Sequence, residues 1–225
     1  MRFLSGWLIA FLVALAAPAP AQTPPSYAVT YMELKAGSIV AGREALRSYA
    51  ASTRKEDGNL QFEAFQETAR PSRFAIIEAW SSRAALDRHF DDAATSKLLA
   101  NLAPMRSAPD DRRMYGGLFA SAPANHPGSG LVYVMTHVDV MPPYADGCAG
   151  LLKAMRADTP RDHGNLAYNV LRQEHEPNHF TVSEFWASRQ DQEAHLGAAH
   201  TVSFRQKLLP MTGALYDERI FTEIE

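Results

Sequence analysis

Residues 58–80 read GNLQFEAFQETARPSRFAIIEAW, and residues 164–186 read GNLAYNVLRQEHEPNHFTVSEFW. The two stretches match at a constant offset of 106 positions, and the register continues without an insertion to Met105 and Met211. A repeat of this length is typical of two copies of one supersecondary unit. We therefore expect two small domains of one fold instead of one large domain.

The domain boundaries follow from the repeat and from local composition. Copy one is predicted at residues 26–119, and copy two at residues 131–225. Residues 120–130 between them are rich in Ser, Pro, Asn and Gly, a composition that is typical of a linker. Residues 1–21 precede the repeat and differ from it in character.

The segment at residues 1–21 has the features of a cleavable secretory signal. Arg2 supplies a positive charge, residues 7–17 are apolar, and Ala19-Pro20-Ala21 has the small-x-small form that signal peptidase prefers. The apolar run is shorter than the roughly 20 residues that span a bilayer, so we expect no stable membrane anchor. Cleavage after residue 21 predicts a periplasmic or secreted protein.

Cys148 is the only cysteine, so the chain can form no internal disulfide. It follows helical spacing with Tyr144, Leu151, Leu152 and Met155, which places the thiol on an apolar helix face. The sequence therefore predicts a buried core residue at this position and not a reactive thiol.

The charge balance argues against nucleic-acid binding. The formal net charge is −3, and it becomes about −4 once the single cation of the signal segment is removed. Binding to phosphates requires clustered Lys and Arg, whereas the densest charged run, residues 110–113, is half acidic. We expect no nucleic-acid partner.

Each copy has the same order of strand and helix patterns. Copy one has strand patterns at residues 27–35, 60–64, 74–80 and 114–119, and helical patterns at residues 40–51 and 82–102. Copy two has strand patterns at residues 131–140, 166–173, 180–186 and 215–222, with a helix around Cys148. The order βαββαβ is that of ferredoxin-like domains, and it predicts an α+β fold.

Two short signals bound the helices of copy one. Asp57-Gly58 predicts the end of the first helix, with the glycine in a left-handed conformation. Ser82 is the predicted N-cap of the second helix. We expect that second helix to run unbroken to Leu102, because Leu86, Phe90, Leu98 and Leu102 follow helical spacing.

The third strand of copy one is apolar on both faces. Phe74 and Ile76 point one way, and Ala75, Ile77 and Ala79 point the other. Helices on one side of a four-stranded sheet would leave the second face in water. The sheet of the other copy is the simplest partner that could bury this second face. We therefore expect the two sheets to pack face to face as an internal pseudo-dimer.

Four motifs recur in both copies: Gly-Asn before the second strand, Pro-x-x-Phe, Glu-x-Trp, and a histidine on the final helix. They begin at Gly58, Pro71, Glu78 and His89 in copy one, and at Gly164, Pro177, Glu184 and His195 in copy two. These motifs resemble the antibiotic biosynthesis monooxygenase superfamily, which includes quinol monooxygenases. The resemblance covers nearly all of the chain after residue 21. It implies two tandem ferredoxin-like domains that form an intramolecular dimeric α/β barrel.

The resemblance also implies a chemistry. Enzymes of this superfamily typically oxidise quinols, anthrones or related phenolics with O2, without a metal or flavin. Such a site needs an apolar slot, a base, and hydrogen-bond donors for the developing oxyanion. We therefore expect a small electron-rich aromatic substrate, O2 and no cofactor. The alternative is a non-catalytic protein of the same fold that binds a small ligand such as haem or a quinone.

A related branch of the superfamily degrades haem with an asparagine on the first strand and a tryptophan and a histidine on the last helix. Neither predicted first strand of this chain contains that asparagine, and Leu99 and Arg205 stand where the histidine would fall. The resemblance therefore disfavours haem degradation and leaves haem binding open.

Glu78 and Trp80, like Glu184 and Trp186, lie two positions apart on a strand, so each pair shares one face. The functional interpretation is a substrate-binding site with a carboxylate beside an aromatic wall. The structural interpretation is a buried or sheet-edge carboxylate paired with Arg83 or Arg189, with the tryptophan filling the interface.

His89 and His195 occupy the same place on the final helices of the two copies. Each can cap an apolar stripe or overhang a pocket. We take His89 as a candidate substrate-binding residue and His195 as a candidate catalytic residue.

His200, His137 and Tyr168 are the remaining catalytic candidates. His200 stands where copy one has Ala94, and it joins an otherwise apolar helical stripe. A buried imidazole needs a polar partner, which Tyr168 or His137 could provide. These exchanges make copy two the more polar half, and they predict that His200→Ala is more damaging than His89→Ala. Scattered core histidines, each with its own partner, remain the alternative.

The sequence predicts no metal site. His195 and His200 are five positions apart on a helical pattern, so they would not share one face, and no cysteine completes a ligand set.

Overall fold

The computed structural model describes residues 23–126 and 130–224. The predicted signal segment and its cleavage site, as well as three residues of the predicted linker, lie outside the described residues. Described helices do not reach the combination of length and apolar character needed to cross a membrane.

Both copies have the predicted order of elements. Copy one comprises β1 (Ser26–Glu33), α1 (Ile39–Thr53), β2 (Asn59–Glu67), β3 (Arg73–Trp80), α2 (Arg83–Asp91), α3 (Ala93–Leu102) and β4 (Asp111–Phe119). Copy two comprises β5 (Val132–Asp139), α4 (Ala145–Asp158), β6 (Asn165–Gln173), β7 (His179–Trp186), α5 (Arg189–Leu196), α6 (Ala199–Leu208) and β8 (Asp217–Glu223).

The eight strands form one closed barrel in the order β1-β3-β2-β8-β5-β7-β6-β4. The two copies meet at two antiparallel seams. At the first seam, residues 65–67 of β2 pair with residues 221–223 of β8. At the second seam, residues 115–119 of β4 pair with residues 170–173 of β6. Closure pairs both edges of each sheet, so the predicted α+β fold with an internal pseudo-dimer is confirmed.

The two faces of β3 are buried against different partners. Ala75, Ile77 and Ala79 belong to the barrel interior, where side chains of both copies meet. Phe74 and Ile76 pack under the helices of copy one. Burial of a large apolar side chain contributes about 1.5–3 kcal/mol, so both faces of the strand stabilise the fold.

The final helix of each copy is interrupted, and the prediction of an unbroken helix is wrong. In copy one the chain becomes extended at Asp92, whose carboxylate accepts hydrogen bonds from the backbone N–H groups of Ala94 and Thr95 and starts α3. In copy two the break lies at Gly197 and Ala198, between α5 and α6. The interruption changes the direction in which the following side chains point.

The predicted helix ends are partly correct. Ser82 Oγ accepts a hydrogen bond from the Ala85 N–H at 3.2 Å, so the N-cap is confirmed. Gly58 has a φ of +87°, as predicted. However, α1 ends at Thr53, and Gly58 instead forms the turn that leads into β2.

Cys148 is fully buried on α4 in the core beneath the helices of copy two. Burial raises the pKa of its thiol to about 12. The prediction of an unreactive core residue therefore agrees with the structure.

Candidate functional site

A groove opens in copy one between its helices and the end of β3. Its volume is about 580 Å³, and it is lined by polar and apolar side chains together. The helix interruption at Asp92 gives the groove one wall, because α3 then leaves α2 at an angle and presents the small side chain of Ala94. The lining residues with polar or aromatic chemistry include Tyr49, Glu56, Trp80, His89 and Thr95.

His89 is held by contacts on several sides. Its Nδ1 lies 2.8 Å from Glu56 Oε2, and its Nε2 lies 2.7 Å from the hydroxyl of Tyr49. Because a carboxylate oxygen accepts, we place the ring proton on Nδ1, which leaves Nε2 to accept from Tyr49. The indole of Trp80 stacks on the imidazole with ring centroids 4.6 Å apart.

Glu78 forms the floor of this cluster. Its Oε2 accepts a hydrogen bond from Trp80 Nε1 at 3.0 Å and lies 3.6 Å from His89 Nε2. The predicted arginine partner is wrong, because Arg83 pairs with Asp87 and Glu174 at the surface. The partner of the carboxylate is the tryptophan two positions further along the same strand face.

Burial sets the protonation states of the cluster. Desolvation raises the pKa of Glu78 from 4.5 to about 7. It lowers the pKa of His89 and raises that of Tyr49. Near neutral pH the imidazole is therefore uncharged, and the phenol of Tyr49 keeps the proton that it donates to Nε2.

Copy two repeats the cluster with small differences. His195 Nδ1 lies 2.6 Å from Asp162 Oδ2, and Trp186 Nε1 donates to Glu184 Oε2 at 3.0 Å. His195 Nε2 lies 3.8 Å from the same Glu184 oxygen. Burial raises the pKa of Glu184 to about 8. Arg189 pairs with Glu193 and not with Glu184, so the predicted arginine partner is again wrong.

The space beside the cluster differs between the copies. Met155, His200 and Phe204 of copy two stand at the positions of Tyr49, Ala94 and Leu98 in copy one. The cavity that these three residues line has a volume of only about 110 Å³. The larger open space is therefore in copy one, although the sequence made copy two the more polar half.

The structure does not bring the copy-two candidates into one pocket. His137 faces the barrel interior, where its ring lies 5.1 Å from that of Tyr31 and its Nδ1 lies 3.3 Å from Thr181 Oγ1. Tyr168 is buried on the helix side of the sheet, in the same apolar core as Cys148. Alternate strand residues face opposite sides, so the sheet separates His137 from the other candidates.

His200 does not form a hydrogen bond through Nε2 with either predicted partner, Tyr168 or His137. Its Nε2 instead lies 3.1 Å from Asp162 Oδ2. The chain interruption before α6 turns the imidazole toward Asp162, and the rings of His195 and His200 have centroids 5.4 Å apart. The spacing argument against a shared metal site fails, because the two histidines do not belong to one continuous helix.

Two residues of the copy-one cluster were not predicted from the sequence. Tyr49 and Glu56 lie on and just after α1, and neither carries a motif of its own. A signal for Glu56 was present, because copy two has the acidic Asp162 at the matched position. Tyr49 had no such signal, since copy two replaces it with Met155.

Comparison with known proteins supports this architecture. The model of the antibiotic biosynthesis monooxygenase family matches residues 25–99 and residues 131–207, together more than half of the chain. No curated protein sequence matches.

Solved structures with the same fold cover nearly the whole chain. A candidate monooxygenase from Fusobacterium nucleatum has a TM-score of 0.81 at 16% identity, and the match covers 90% of this chain and 94% of that one. A candidate monooxygenase from Lactobacillus acidophilus has a TM-score of 0.74 at 12% identity, over 90% and 95% of the two chains. An anthrone oxidase-like protein has a TM-score of 0.69 at 12% identity, over 91% and 93%.

At these identities the structural likeness establishes the fold alone, whereas the two matches to the family model identify the domains. This chain belongs to the antibiotic biosynthesis monooxygenase family and contains two copies of the family's domain.

Proposed function

We propose that the protein is a monooxygenase that oxidises a small electron-rich aromatic compound, a quinol or a related phenolic, with O2 in the groove of copy one. The observation that carries the proposal is the open groove beside His89, whose Nε2 is an acceptor held in place by Glu56 and Tyr49. In copy two the cavity lined by the matched positions Met155, His200 and Phe204 is smaller, at about 110 Å³.

The proposed role of His89 is that of a general base. A free phenol has a pKa of about 10, so at neutral pH it needs a base before it can pass an electron to O2. The neutral imidazole accepts this proton at Nε2, through the hydroxyl of Tyr49 or after the substrate displaces that hydroxyl. Glu56 holds Nδ1–H and stabilises the imidazolium that forms, in the manner of a carboxylate–histidine pair.

The chemistry balances for a substrate with an activated methylene group. One atom of O2 becomes a carbonyl oxygen on that carbon, the other leaves as water, and the two methylene hydrogens enter the water. The substrate supplies all four electrons, so the proposed reaction requires no flavin and no metal. Trp80 offers an aromatic wall for the ring of the substrate.

The test measures oxygen uptake by the purified protein with simple quinols and an anthrone, with and without a chelator. We expect turnover to continue in chelator and to fall about 100-fold or more in His89→Ala, because general-base catalysis typically contributes at least that factor. His200→Ala should cause a smaller loss. If His200→Ala is the more damaging change, the reaction belongs to copy two, as the sequence polarity predicts.

A non-catalytic binding protein is the second candidate function. Copy two supports it, because this half keeps the fold while its positions matched to the groove line a cavity of only about 110 Å³. A quinone or haem that binds stoichiometrically, combined with no oxygen uptake for any quinol or anthrone, would favour this alternative.

We also propose that the protein is exported to the periplasm or the medium. The support is the sequence of residues 1–21, with its single cation, its apolar run and its Ala-Pro-Ala site. N-terminal sequencing of native protein should find Gln22 or a close neighbour as the first residue. A native chain that retains Trp7 would contradict the proposal.

A further inference from the structure

Three side chains of copy two bring potential metal-ligand atoms together. One ligand atom from each of Asp162, His195 and His200 lies within 4.8 Å of the other two. Asp162 Oδ2 is central, at 2.6 Å from His195 Nδ1 and 3.1 Å from His200 Nε2. In a tetrahedral zinc site, with bonds of about 2.0–2.1 Å, neighbouring ligand atoms lie about 3.3 Å apart. Small side-chain movements therefore suffice to surround an ion.

His200 Nε2 has no hydrogen-bond partner among the described residues. The atom is buried and makes no hydrogen bond of acceptable geometry, although the carboxylate of Asp162 is near it. A buried nitrogen without a partner is costly, and it is expected to have a function or an unseen ligand. A cation between this nitrogen and the carboxylate would satisfy both groups.

The surroundings of His195 fit a ligand role. When Nδ1 faces the ion, the ring proton must lie on Nε2. This nitrogen is 3.3 Å from Thr201 Oγ1, which also lies 3.4 Å from Nδ1, and it is 3.8 Å from Glu184 Oε2, so the threonine hydroxyl is the acceptor within hydrogen-bond distance. Metal-bound histidines almost always donate their second N–H to a hydrogen-bond acceptor.

The third ligand is an addition that copy one lacks. Copy one has Glu56 and His89 at the positions of Asp162 and His195, but Ala94 replaces His200. A cavity of about 110 Å³ adjoins His200, and its lining includes Met155 and Phe204 but neither Asp162 nor His195. The exchange of Ala94 for His200 is thus the one that completes a set of two imidazoles and one carboxylate.

We propose that Asp162, His195 and His200 bind one divalent transition-metal ion, with Zn²⁺ as the representative, and that solvent completes the coordination. Imidazole and carboxylate ligands together suit such borderline ions. This site is separate from the groove of copy one, and the proposed oxidation does not depend on it. Of the two copies in this chain, only the second has this set of three residues.

The test uses Zn²⁺ itself as the probe. Protein stripped with a chelator is titrated with Zn²⁺ in competition with a chromogenic chelator, and we expect uptake of one equivalent. His200→Ala and Asp162→Asn should each lower the affinity by about 100-fold or more, because loss of an outer-shell partner alone costs about 10–100-fold. Circular dichroism checks the fold of His200→Ala, which should persist because copy one has alanine at this position.

The matched control is His179→Ala, which removes another histidine that lies beside carboxylates, Glu176 at 2.8 Å and Asp139 at 3.8 Å. This variant should keep the full equivalent. Co²⁺ substitution gives a second readout, since visible absorption bands of low-coordinate Co²⁺ should appear in the wild type and vanish in His200→Ala. Failure of the wild type to take up one equivalent, or unchanged uptake in folded His200→Ala, would overturn the proposal.

Discussion

At the scale of single residues, both copies bury one carboxyl group beneath a histidine. Glu78 and Glu184 each accept a hydrogen bond from the tryptophan two positions later. Among the described residues, the basic side chain within 4 Å of each is a histidine and not an arginine. A buried carboxylate without a cationic partner holds its proton tightly. Ionisation of either carboxyl group therefore lowers the free energy of unfolding, so the stability of the protein depends on pH.

The first prediction is that Glu78→Gln stabilises the protein at alkaline pH. Burial raises the pKa of Glu78 from 4.5 to about 7, so the folded state binds more protons than the unfolded state between these values. The free energy of unfolding therefore falls as pH rises through this window. At pH 8 the variant should be more stable than the wild type by up to roughly 3 kcal/mol, and at pH 4 the gain should vanish.

Urea unfolding at pH 4, 6 and 8 measures this difference. Glu44→Gln is the control, because its side chain is exposed and should show no such pH dependence. A stability difference between Glu78→Gln and wild type that stays constant from pH 4 to pH 8 would contradict the assignment of a raised pKa.

At the scale of elements, the interrupted final helices position both clusters. The interruption in copy one has a side-chain cap, because the carboxylate of Asp92 accepts from Ala94 N–H at 2.7 Å and from Thr95 N–H at 3.2 Å. Copy two has Ala198 at the matched position, with almost the same backbone conformation and no side-chain cap. The same element is thus capped in one copy and uncapped in the other.

The second prediction compares these two positions. Asp92→Ala should lower the free energy of unfolding by about 1 kcal/mol, because loss of an N-cap typically costs that amount. Ala198→Asp should raise it by a similar amount, since α6 then gains the cap that α3 already has. Thermal or urea unfolding of the two single variants measures both effects. Destabilisation by both changes would contradict the capping argument.

At the scale of the whole molecule, the barrel interior belongs to both copies. Its apolar core includes Val29 and Phe65 from copy one together with Tyr133 and Phe185 from copy two. The described part of the linker also packs at this interior, where the ring of His126 stacks on Phe185 with centroids 4.3 Å apart. Neither copy can separate from the other without exposing this shared core to water.

The third prediction is that the two copies unfold in one transition. In protein that lacks Trp7, the fluorescence of Trp186→Phe reports on Trp80 in copy one, and that of Trp80→Phe reports on Trp186 in copy two. Within each variant, the fluorescence and circular dichroism midpoints in urea should coincide, because the shared interior couples the copies. Two separate transitions would contradict this coupling.

The same coupling makes core changes in one copy costly for both. Phe185→Ala removes a large side chain from the shared interior and should cost about 3–5 kcal/mol, while the transition remains single. The copy-one position that matches Phe185 is occupied by Ala79, so the interior has one large and one small residue at this pair of positions.

The sequence by itself determined the repeat, the βαββαβ order and the closed pseudo-dimer. These features depend on local periodicity, and the two apolar faces of β3 required a second sheet as cover. It also placed Glu78 beside Trp80, and Glu184 beside Trp186, because residues two positions apart on a strand share one face.

Only the tertiary structure decided which side chains meet. Tyr49 reaches His89 from α1 and Glu56 reaches it from the turn after α1, and the helix interruption turns His200 toward Asp162 instead of along an apolar stripe. Cavity volume depends on the summed side chains of several elements, so the polarity of copy two could not reveal that copy one has the larger groove. Contacts between distant residues follow from packing, and periodicity within one element contains no information about them.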